Sequence, residues 1–242
     1  MKFKTIGNKE NPAILLIHAM FVTPDSFSAL IEYLKDDYFI IMPILDGHSK
    51  DENSHFISVE DETLKIINYL DENNIENLSF ILGTSLGAII AMEVYSKANI
   101  KINKVFLDGG PFFKFGPILK SIMRRKFWNV CDNIKKDPEK SKKELDKAFP
   151  SISALMLNVC SFISKANVLN LSDACYSYNL PNLTENSQKK ITFIYGTKEI
   201  ARFAIPFIKK YKYSTIVKKK DLSHCEFILN YPYEYSLLLK EN

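Results

Sequence analysis

Residues 78–95 constrain this chain most, because they join a strand pattern to a helix pattern through a serine flanked by glycines. Residues 78–82 form a short apolar run, which is typical of a strand buried on both faces. Residues 88–95 are rich in helix formers and contain neither glycine nor proline. Between the two patterns lies Gly83-Thr84-Ser85-Leu86-Gly87.

A G-x-S-x-G in this context is typical of a nucleophile elbow, a sharp strand-to-helix turn that exposes a serine hydroxyl above a sheet. Glycine on both sides removes side chains that would collide with neighbouring backbone. The start of the helix also favours developing negative charge. A flexible glycine–serine loop is the alternative, but the chain has only 8 glycines and two of them lie here. The motif therefore predicts Ser85 as a nucleophile.

The composition is that of a folded chain with a sizeable core, since 46% of the 242 residues are hydrophobic and 25% are charged. This length indicates one large domain, or one domain with an insertion. Polar residues 8–11 follow the basic start where a signal peptide would be apolar. The apolar stretch 78–95 is too short and too interrupted for a membrane span. We therefore expect no membrane partner.

The cysteines and the charges exclude two further classes of site. The four cysteines show no C-x-x-C spacing, so we expect no metal site and free thiols in a cytoplasmic protein. The net charge is +4, but arginine occurs only at Arg124, Arg125 and Arg202. Nucleic-acid sites favour arginine, so we expect no nucleic-acid partner and interpret the lysines as solvated.

Strand and helix patterns alternate along both ends of the chain. Strands are predicted over 2–6, 13–17, 38–43, 78–82, 104–107, 191–195 and 213–217, and helices over 24–36, 58–72, 88–95, 201–211 and 226–240. This alternation predicts an α/β fold with a mostly parallel sheet and helices on both faces.

The rhythm changes over residues 112–188, where only helical patterns occur. Helices are predicted over 118–134, 138–148, 152–164 and 167–178, separated by proline-containing breaks. We expect a core of residues 1–111 and 189–242 with this helical segment inserted. Its apolar residues, such as Trp128, either pack among themselves or line a pocket over Ser85.

Three motifs in chain order resemble the α/β-hydrolase family across nearly the whole chain. They are His18-Ala19-Met20-Phe21 after an early strand, the G-T-S-L-G elbow, and His224 between the last strand and the last helix. Asp46-Gly47-His48 resembles a further loop of the family more loosely, and Ala19 and Ser223 replace glycines that are usual there. The resemblance implies that the inserted helices form a cap.

The resemblance also implies a catalytic triad. Ser85 would be the nucleophile and His224 the base, and Glu199 occupies the family's usual position for the acid in Tyr195-Gly196-Thr197-Lys198-Glu199. Asp108 is the alternative acid, although Gly109 and Gly110 after it indicate a tight turn in which its carboxylate bonds local backbone N–H groups. A solvated Glu199 paired with Lys198 is the other interpretation.

The remaining site residues come from the same resemblance. The backbone N–H groups of Met20 and Leu86 would form the oxyanion hole. His18 is expected to brace the backbone, and His48 and His55 are interpreted as loop residues without a catalytic role.

These expectations describe a serine hydrolase that cleaves a small carboxylic ester or thioester through an acyl-enzyme intermediate, with no cofactor and no metal. The family also includes carbon–carbon hydrolases and lyases that use the same triad, and the chain could be a non-catalytic ligand-binding homologue. The sequence indicates neither the acyl-chain preference nor the oligomeric state.

Overall fold

Seven strands form one sheet in the computed structural model, which describes residues 1–51, 53–149 and 152–241. The strands are β1 (Lys2–Ile6), β2 (Ala13–Ile17), β3 (Phe39–Ile44), β4 (Asn77–Thr84), β5 (Lys101–Asp108), β6 (Ile191–Gly196) and β7 (Thr215–Lys219). Their order is β1-β3-β2-β4-β5-β6-β7, and β1 alone is antiparallel to its neighbour. The predicted α/β fold with a mostly parallel sheet is confirmed.

Helices cover both faces of the sheet and fill the connection between β5 and β6. They are α1 (Ser28–Ile31), α2 (Val59–Glu72), α3 (Leu86–Lys97), α4 (Pro117–Lys136), α5 (Pro138–Ala148), α6 (Ser153–Phe162), α7 (Lys165–Ser177), α8 (Glu185–Gln188), α9 (Ile205–Ile208), α10 (Glu226–Asn230) and α11 (Pro232–Glu241). Short 3₁₀ turns precede α1 (Pro24–Phe27) and α9 (Ile200–Ala204).

The core lies in two layers, one on each face of the sheet. Strand side chains alternate between faces: in β2, Leu15 joins the layer formed with α2, α3 and the inserted helices, whereas Ile14 joins the layer formed with α1, α10 and α11. Both layers are built of residues with almost no solvent exposure. Because β2 to β7 are parallel, their carboxyl ends meet at one edge of the sheet. This edge is where α/β folds place ligand sites.

The helices predicted from the sequence differ from the observed ones mainly where proline interrupts them. The predicted helix 226–240 is two helices, because Pro232 has no N–H to donate and its ring would collide with the preceding turn. The predicted helix 201–211 is a 3₁₀ turn followed by the single turn of α9, which contains Pro206. The segment 24–36 is likewise a 3₁₀ turn followed by the single turn of α1.

All four cysteines are free and buried. Cys131 of α4 and Cys160 of α6 lie with their sulfur atoms 3.2 Å apart. Because 29 residues separate the two in sequence, no short motif marks their proximity.

Candidate active site

Ser85 lies between β4 and α3 in a strained backbone conformation, with φ 53° and ψ −114°. A positive φ is uncommon for a residue with a side chain, and such strain concentrates at functional sites. Space requires the flanking glycines, since a Cβ atom at Gly83 would lie 2.1 Å from the Gly87 carbonyl oxygen. A Cβ atom at Gly87 would lie 2.1 Å from the carbonyl oxygen of Ile17. The turn has the geometry of a nucleophile elbow, with Ser85 partly exposed at the N-terminus of α3.

His224 and Glu199 form a hydrogen-bonded pair at the carboxyl edge of the sheet. His224 Nδ1 lies 2.5 Å from Glu199 Oε2, and the other carboxylate oxygen accepts a hydrogen bond of 2.6 Å from the Gly196 N–H. The Glu199 side chain is fully buried, whereas 37% of the His224 side chain is exposed. Lys198 instead approaches Asp221 at 3.6 Å, so the interpretation of Glu199 as a solvated partner of Lys198 is wrong.

Backbone contacts fix the two loops that carry this pair. The N–H groups of Thr197 and Lys198 donate to the carbonyl oxygens of Lys219 and Leu222, each at 2.9 Å. A Cβ atom at Gly196 would lie 2.2 Å from the same Leu222 oxygen. The loop after β6 is therefore packed directly on the loop after β7. This packing keeps Glu199 within hydrogen-bond distance of His224.

Residues 108 and 109 connect the pair to the elbow. The Ser85 N–H donates to the Asp108 carbonyl oxygen at 2.7 Å. A Cβ atom on the next residue, Gly109, would lie 2.7 Å from His224 Cε1 and 3.1 Å from Glu199 Oε2. One dipeptide thus adjoins the serine turn on one side and the histidine–glutamate pair on the other. The structure joins two of the predicted triad residues by a hydrogen bond and places the turn that carries Ser85 beside the same dipeptide.

Asp108 is buried beside this pair. Burial, together with the negative charge of Glu199, raises the pKa of its carboxyl to about 7. Among the described residues no partner hydrogen-bonds its Oδ2 atom. The expected hydrogen bonds from backbone N–H groups of a tight turn are therefore not made to Oδ2, and the carboxyl faces the Tyr235 hydroxyl instead.

The two backbone N–H groups predicted as an oxyanion hole lie where both can be available. Leu86 is the first residue of α3, so its N–H has no partner within the helix. In the described parts of the chain the Met20 N–H donates no hydrogen bond. The neighbouring Phe21 has φ 67°, and its N–H donates to His48 Nε2 at 3.1 Å.

His48 and His18 are buried braces of the two loops beside the elbow. His18 Nε2 accepts from the Leu45 N–H at 3.1 Å, and its Nδ1 lies 2.8 Å from the Ala19 carbonyl oxygen. His48 Nδ1 lies 3.1 Å from the Asp46 carbonyl oxygen. Burial lowers the pKa of His18 to about 3 and that of His48 to about 4, so both rings are neutral with the proton on Nδ1. The polar sequence around His48 gave no signal of this burial.

We expect His48→Gln to flatten the pH dependence of stability. A buried histidine with a depressed pKa stabilises the fold fully above pH 6.5, and this stability is lost as the pH falls towards about 4. The wild type should therefore lose about 1.4 kcal/mol more per pH unit than the variant between these values. Urea unfolding across this range measures the difference, with exposed His55→Gln as the control; equal slopes for wild type and His48→Gln would contradict the assignment.

A cavity of about 260 Å³ opens beside His224. It is lined by the end of α5 and the loop and helix after β7, namely Lys147, Ala148, Phe149, Ser223, His224, Glu226, Leu229 and Asn230. The inserted helices thus meet the exposed face of the histidine.

Aromatic contacts join the inserted helices to the loop after β2. The Phe127 ring of α4 packs edge-on against Phe21 with centroids 5.9 Å apart, and it stacks on Tyr176 of α7 at 6.2 Å. Trp128 lies instead under the ammonium groups of Lys135 and Lys165, at 5.3 and 5.6 Å. Phe127 therefore contacts the loop of Met20, whereas its neighbour Trp128 packs among the inserted helices.

One group of acidic side chains in the described residues could approach a metal ion, namely Asp46, Asp61 and Glu62. The Lys65 ammonium lies 2.5 Å from carboxylate oxygens of both Asp46 and Asp61. Burial and the nearby Asp46 raise the pKa of Glu62 to about 8. The cations of this cluster therefore belong to the chain itself: the Lys65 ammonium and the N-terminal ammonium, which lies 3.2 Å from Asp46 Oδ1.

Comparison with known proteins agrees with the fold. A family model described as alpha/beta hydrolase fold matches residues 12–203. No curated protein matches the sequence closely enough to count as a relative.

Solved structures with the same fold include an α/β-hydrolase family protein from Desulfitobacterium hafniense, at 22% identity, with 99% of each chain covered and a TM-score of 0.77. A structure from work on carboxylesterases of Nitrososphaera gargenis has 17% identity, 99% and 92% coverage of the two chains and a TM-score of 0.76. The enol-lactonase from Burkholderia xenovorans has 14% identity, 99% and 95% coverage and a TM-score of 0.74. At these identities the likeness is one of fold.

Proposed function

Because the chain belongs to the α/β-hydrolase family, we propose that it is a serine hydrolase that cleaves a small carboxylic ester or thioester through an acyl-enzyme intermediate. The observation that carries the proposal is the 2.5 Å contact between His224 Nδ1 and buried Glu199, beside Gly109, whose preceding residue accepts the N–H of the strained Ser85. A nucleophile, a base and a group that orients the base are the parts that acyl transfer requires. Esterase and lactonase structures of the same fold are consistent with it.

The first half-reaction acylates Ser85. Its Oγ attacks the substrate carbonyl carbon while His224 Nε2 takes the hydroxyl proton, and the carbonyl oxygen becomes an oxyanion facing the N–H groups of Met20 and Leu86. The intermediate then collapses, the bond to the leaving alcohol or thiol breaks, and His224 returns the proton to that group. Glu199 keeps the proton of the neutral imidazole on Nδ1 and stabilises the imidazolium.

The second half-reaction releases the acid. A water molecule gives its proton to His224 and attacks the acyl carbon, and the ester bond to Ser85 breaks as His224 returns that proton to Oγ. The chain's own residues supply every proton transfer in this scheme, so no cofactor or metal takes part. A cytoplasmic location stays a prediction.

The helical segment 112–188 is proposed to act as a cap that selects the acyl chain. The support is the packing of Phe127 on Phe21 and the cavity between α5 and His224. Helical segments over a preformed site commonly gate access and exclude water.

Phe127→Ala is expected to shift the preference towards longer acyl chains, because it opens space beside the loop that carries Met20. The change in relative kcat/KM between short and long esters should be about tenfold, the usual worth of one or two methylene groups in an apolar pocket. Trp128→Ala on the same helix is the matched control and should leave the ranking unchanged. An unchanged ranking in both variants would show that the segment does not select the acyl chain, and equal shifts in both would contradict the special role of Phe127.

Hydrolysis of a chain-length series of nitrophenyl esters, with one acyl thioester, tests the proposed activity. We expect turnover with a preference for one chain length and a burst of nitrophenol when deacylation is the slower step. A folded protein that binds these compounds without hydrolysing any of them would contradict the proposal and favour a ligand-binding role.

A further inference from the structure

The charge of this chain is divided very unevenly along the sequence. Segments 112–131 and 200–220 contain 12 of the 32 basic residues, all three arginines among them, and none of the 28 acidic residues. The rest of the chain therefore has 20 basic and 28 acidic residues. The positive net charge comes wholly from these two segments, which we call the basic segments.

The basic segments also expose an unusual share of the chain's large apolar side chains to solvent. Of 14 large hydrophobic side chains exposed in the described parts of the chain, 7 belong to the basic segments. Ile118 is 81% exposed and Ile122 55%, one turn apart on α4; Phe203 is 60% exposed and Phe207 54%, beside α9 and within it. Apolar residues one turn apart share one face of a helix. Ile118 and Ile122 therefore form one exposed apolar patch on α4.

The two segments lie on either side of one stretch of chain. Phe115 N–H donates to the Tyr176 carbonyl oxygen at 3.2 Å, while the Tyr211 hydroxyl donates to the Pro181 carbonyl oxygen at 2.5 Å. Five peptide units join residues 176 and 181, so these contact points are at most about 18 Å apart. Both basic segments are therefore anchored to the same short stretch of chain, residues 176–181.

The basic groups are left unneutralised. Within the residues that the structure describes, Arg124 alone among the twelve forms an ion pair, with Asp173. Lys120 and Lys210 bond a serine hydroxyl and a backbone carbonyl oxygen, at 3.2 and 2.9 Å, which leaves their charge intact. An anionic partner could therefore pair with the other eleven basic groups without displacing a carboxylate of the chain.

We propose that the basic segments form a surface that binds anionic lipid bilayers, with Ile118, Ile122, Phe203 and Phe207 entering the headgroup region and the surrounding lysines facing lipid phosphates. Exposed aliphatic and aromatic side chains rimmed by lysine fit an anionic membrane surface. Nucleic acid would use the positive charge but leave these apolar groups without a partner. Such binding needs no span, and no helix in the described parts of the chain has the length and apolarity of one.

This surface is independent of the chemistry at Ser85, and its test uses no substrate. Sedimentation of the full chain with vesicles of phosphatidylcholine, with or without phosphatidylglycerol, measures the binding. We expect binding to the anionic vesicles that weakens steeply with salt, since the attraction acts within a Debye length. Binding to the neutral vesicles should be weaker by at least tenfold.

Two pairs of variants separate the apolar and the charged contributions. Ile118→Ser/Ile122→Ser should weaken binding by about tenfold or more, whereas Ile57→Ser/Leu64→Ser, which changes equally exposed residues elsewhere, should not. Lys126→Glu/Lys209→Glu should lose more than about twentyfold, at about fivefold for each charge removed. Its control, Lys9→Glu/Lys50→Glu, makes the same change of charge outside the surface.

Three results would overturn the proposal. The first is an absence of binding to anionic vesicles at low salt by the folded protein, and the second is an equal loss in test and control variants. The third is a different partner: an oligonucleotide bound as tightly as the vesicles and insensitive to the apolar changes, or a dimer that Ile118→Ser/Ile122→Ser dissociates.

Discussion

Replacing Ser85 with alanine is expected to lower kcat for ester hydrolysis by about 10⁴-fold or more, because no acyl-enzyme can form without the hydroxyl. The melting temperature should change little, since Ser85 Oγ makes no hydrogen bond within the described residues and alanine keeps the same backbone strain. Steady-state kinetics and thermal unfolding of the purified variant measure both effects.

The matched control is Ser96→Ala at the other end of α3, where the hydroxyl donates to the Glu93 carbonyl oxygen at 3.0 Å, its one hydrogen bond among the described residues. It should retain wild-type kcat. A Ser85→Ala protein that hydrolyses esters at the wild-type rate would show that the nucleophile lies elsewhere.

Glu199→Gln is expected to lower kcat by about 10⁴-fold, because an amide facing Nδ1 can hold the imidazole of His224 in the wrong tautomer. Asp108→Asn should cost far less activity. The pKa of about 7 means that Asp108 carries a proton through much of the neutral range, and asparagine resembles that protonated form. Kinetics of the two variants at pH 6, where Asp108 is mostly protonated, separate the two acids.

The stability of Asp108→Asn provides an independent check. A carboxyl whose pKa is raised on folding destabilises the folded state progressively as the pH rises from about 4 to about 7. The variant should therefore match the wild type near pH 4 and exceed its free energy of unfolding at pH 8. If Asp108→Asn instead loses more activity than Glu199→Gln in folded proteins, Asp108 is the triad acid.

The sequence predicted those parts of the site that depend on local chain geometry. The glycines around Ser85 and the four-residue step from Tyr195 to Glu199 are short-range signals, because each describes one turn whose shape admits few residues. The fold class followed from the alternation of apolar runs, since each run is long enough to show its own period.

Features that depend on contacts between distant segments could not be read in this way. His48 lies in a polar stretch, and its burial comes from a hydrogen bond to Phe21, 27 residues away. Phe127 and Trp128 are adjacent aromatic residues, and only the packing of α4 against α7 shows which of them faces the loop after β2. The pKa of Asp108 likewise depends on the closeness of Glu199, which is carried by a different strand.

Labelling with a fluorophosphonate, followed by mass spectrometry of the digested protein, tests the central claim most directly. The serine oxygen would bond to phosphorus, fluoride would leave and His224 would take the proton, so only an activated serine reacts quickly. We predict a single adduct on Ser85, absent from Ser85→Ala and formed far more slowly in His224→Ala. A folded wild-type protein that remains unlabelled, or that carries the adduct on another residue, would contradict the account.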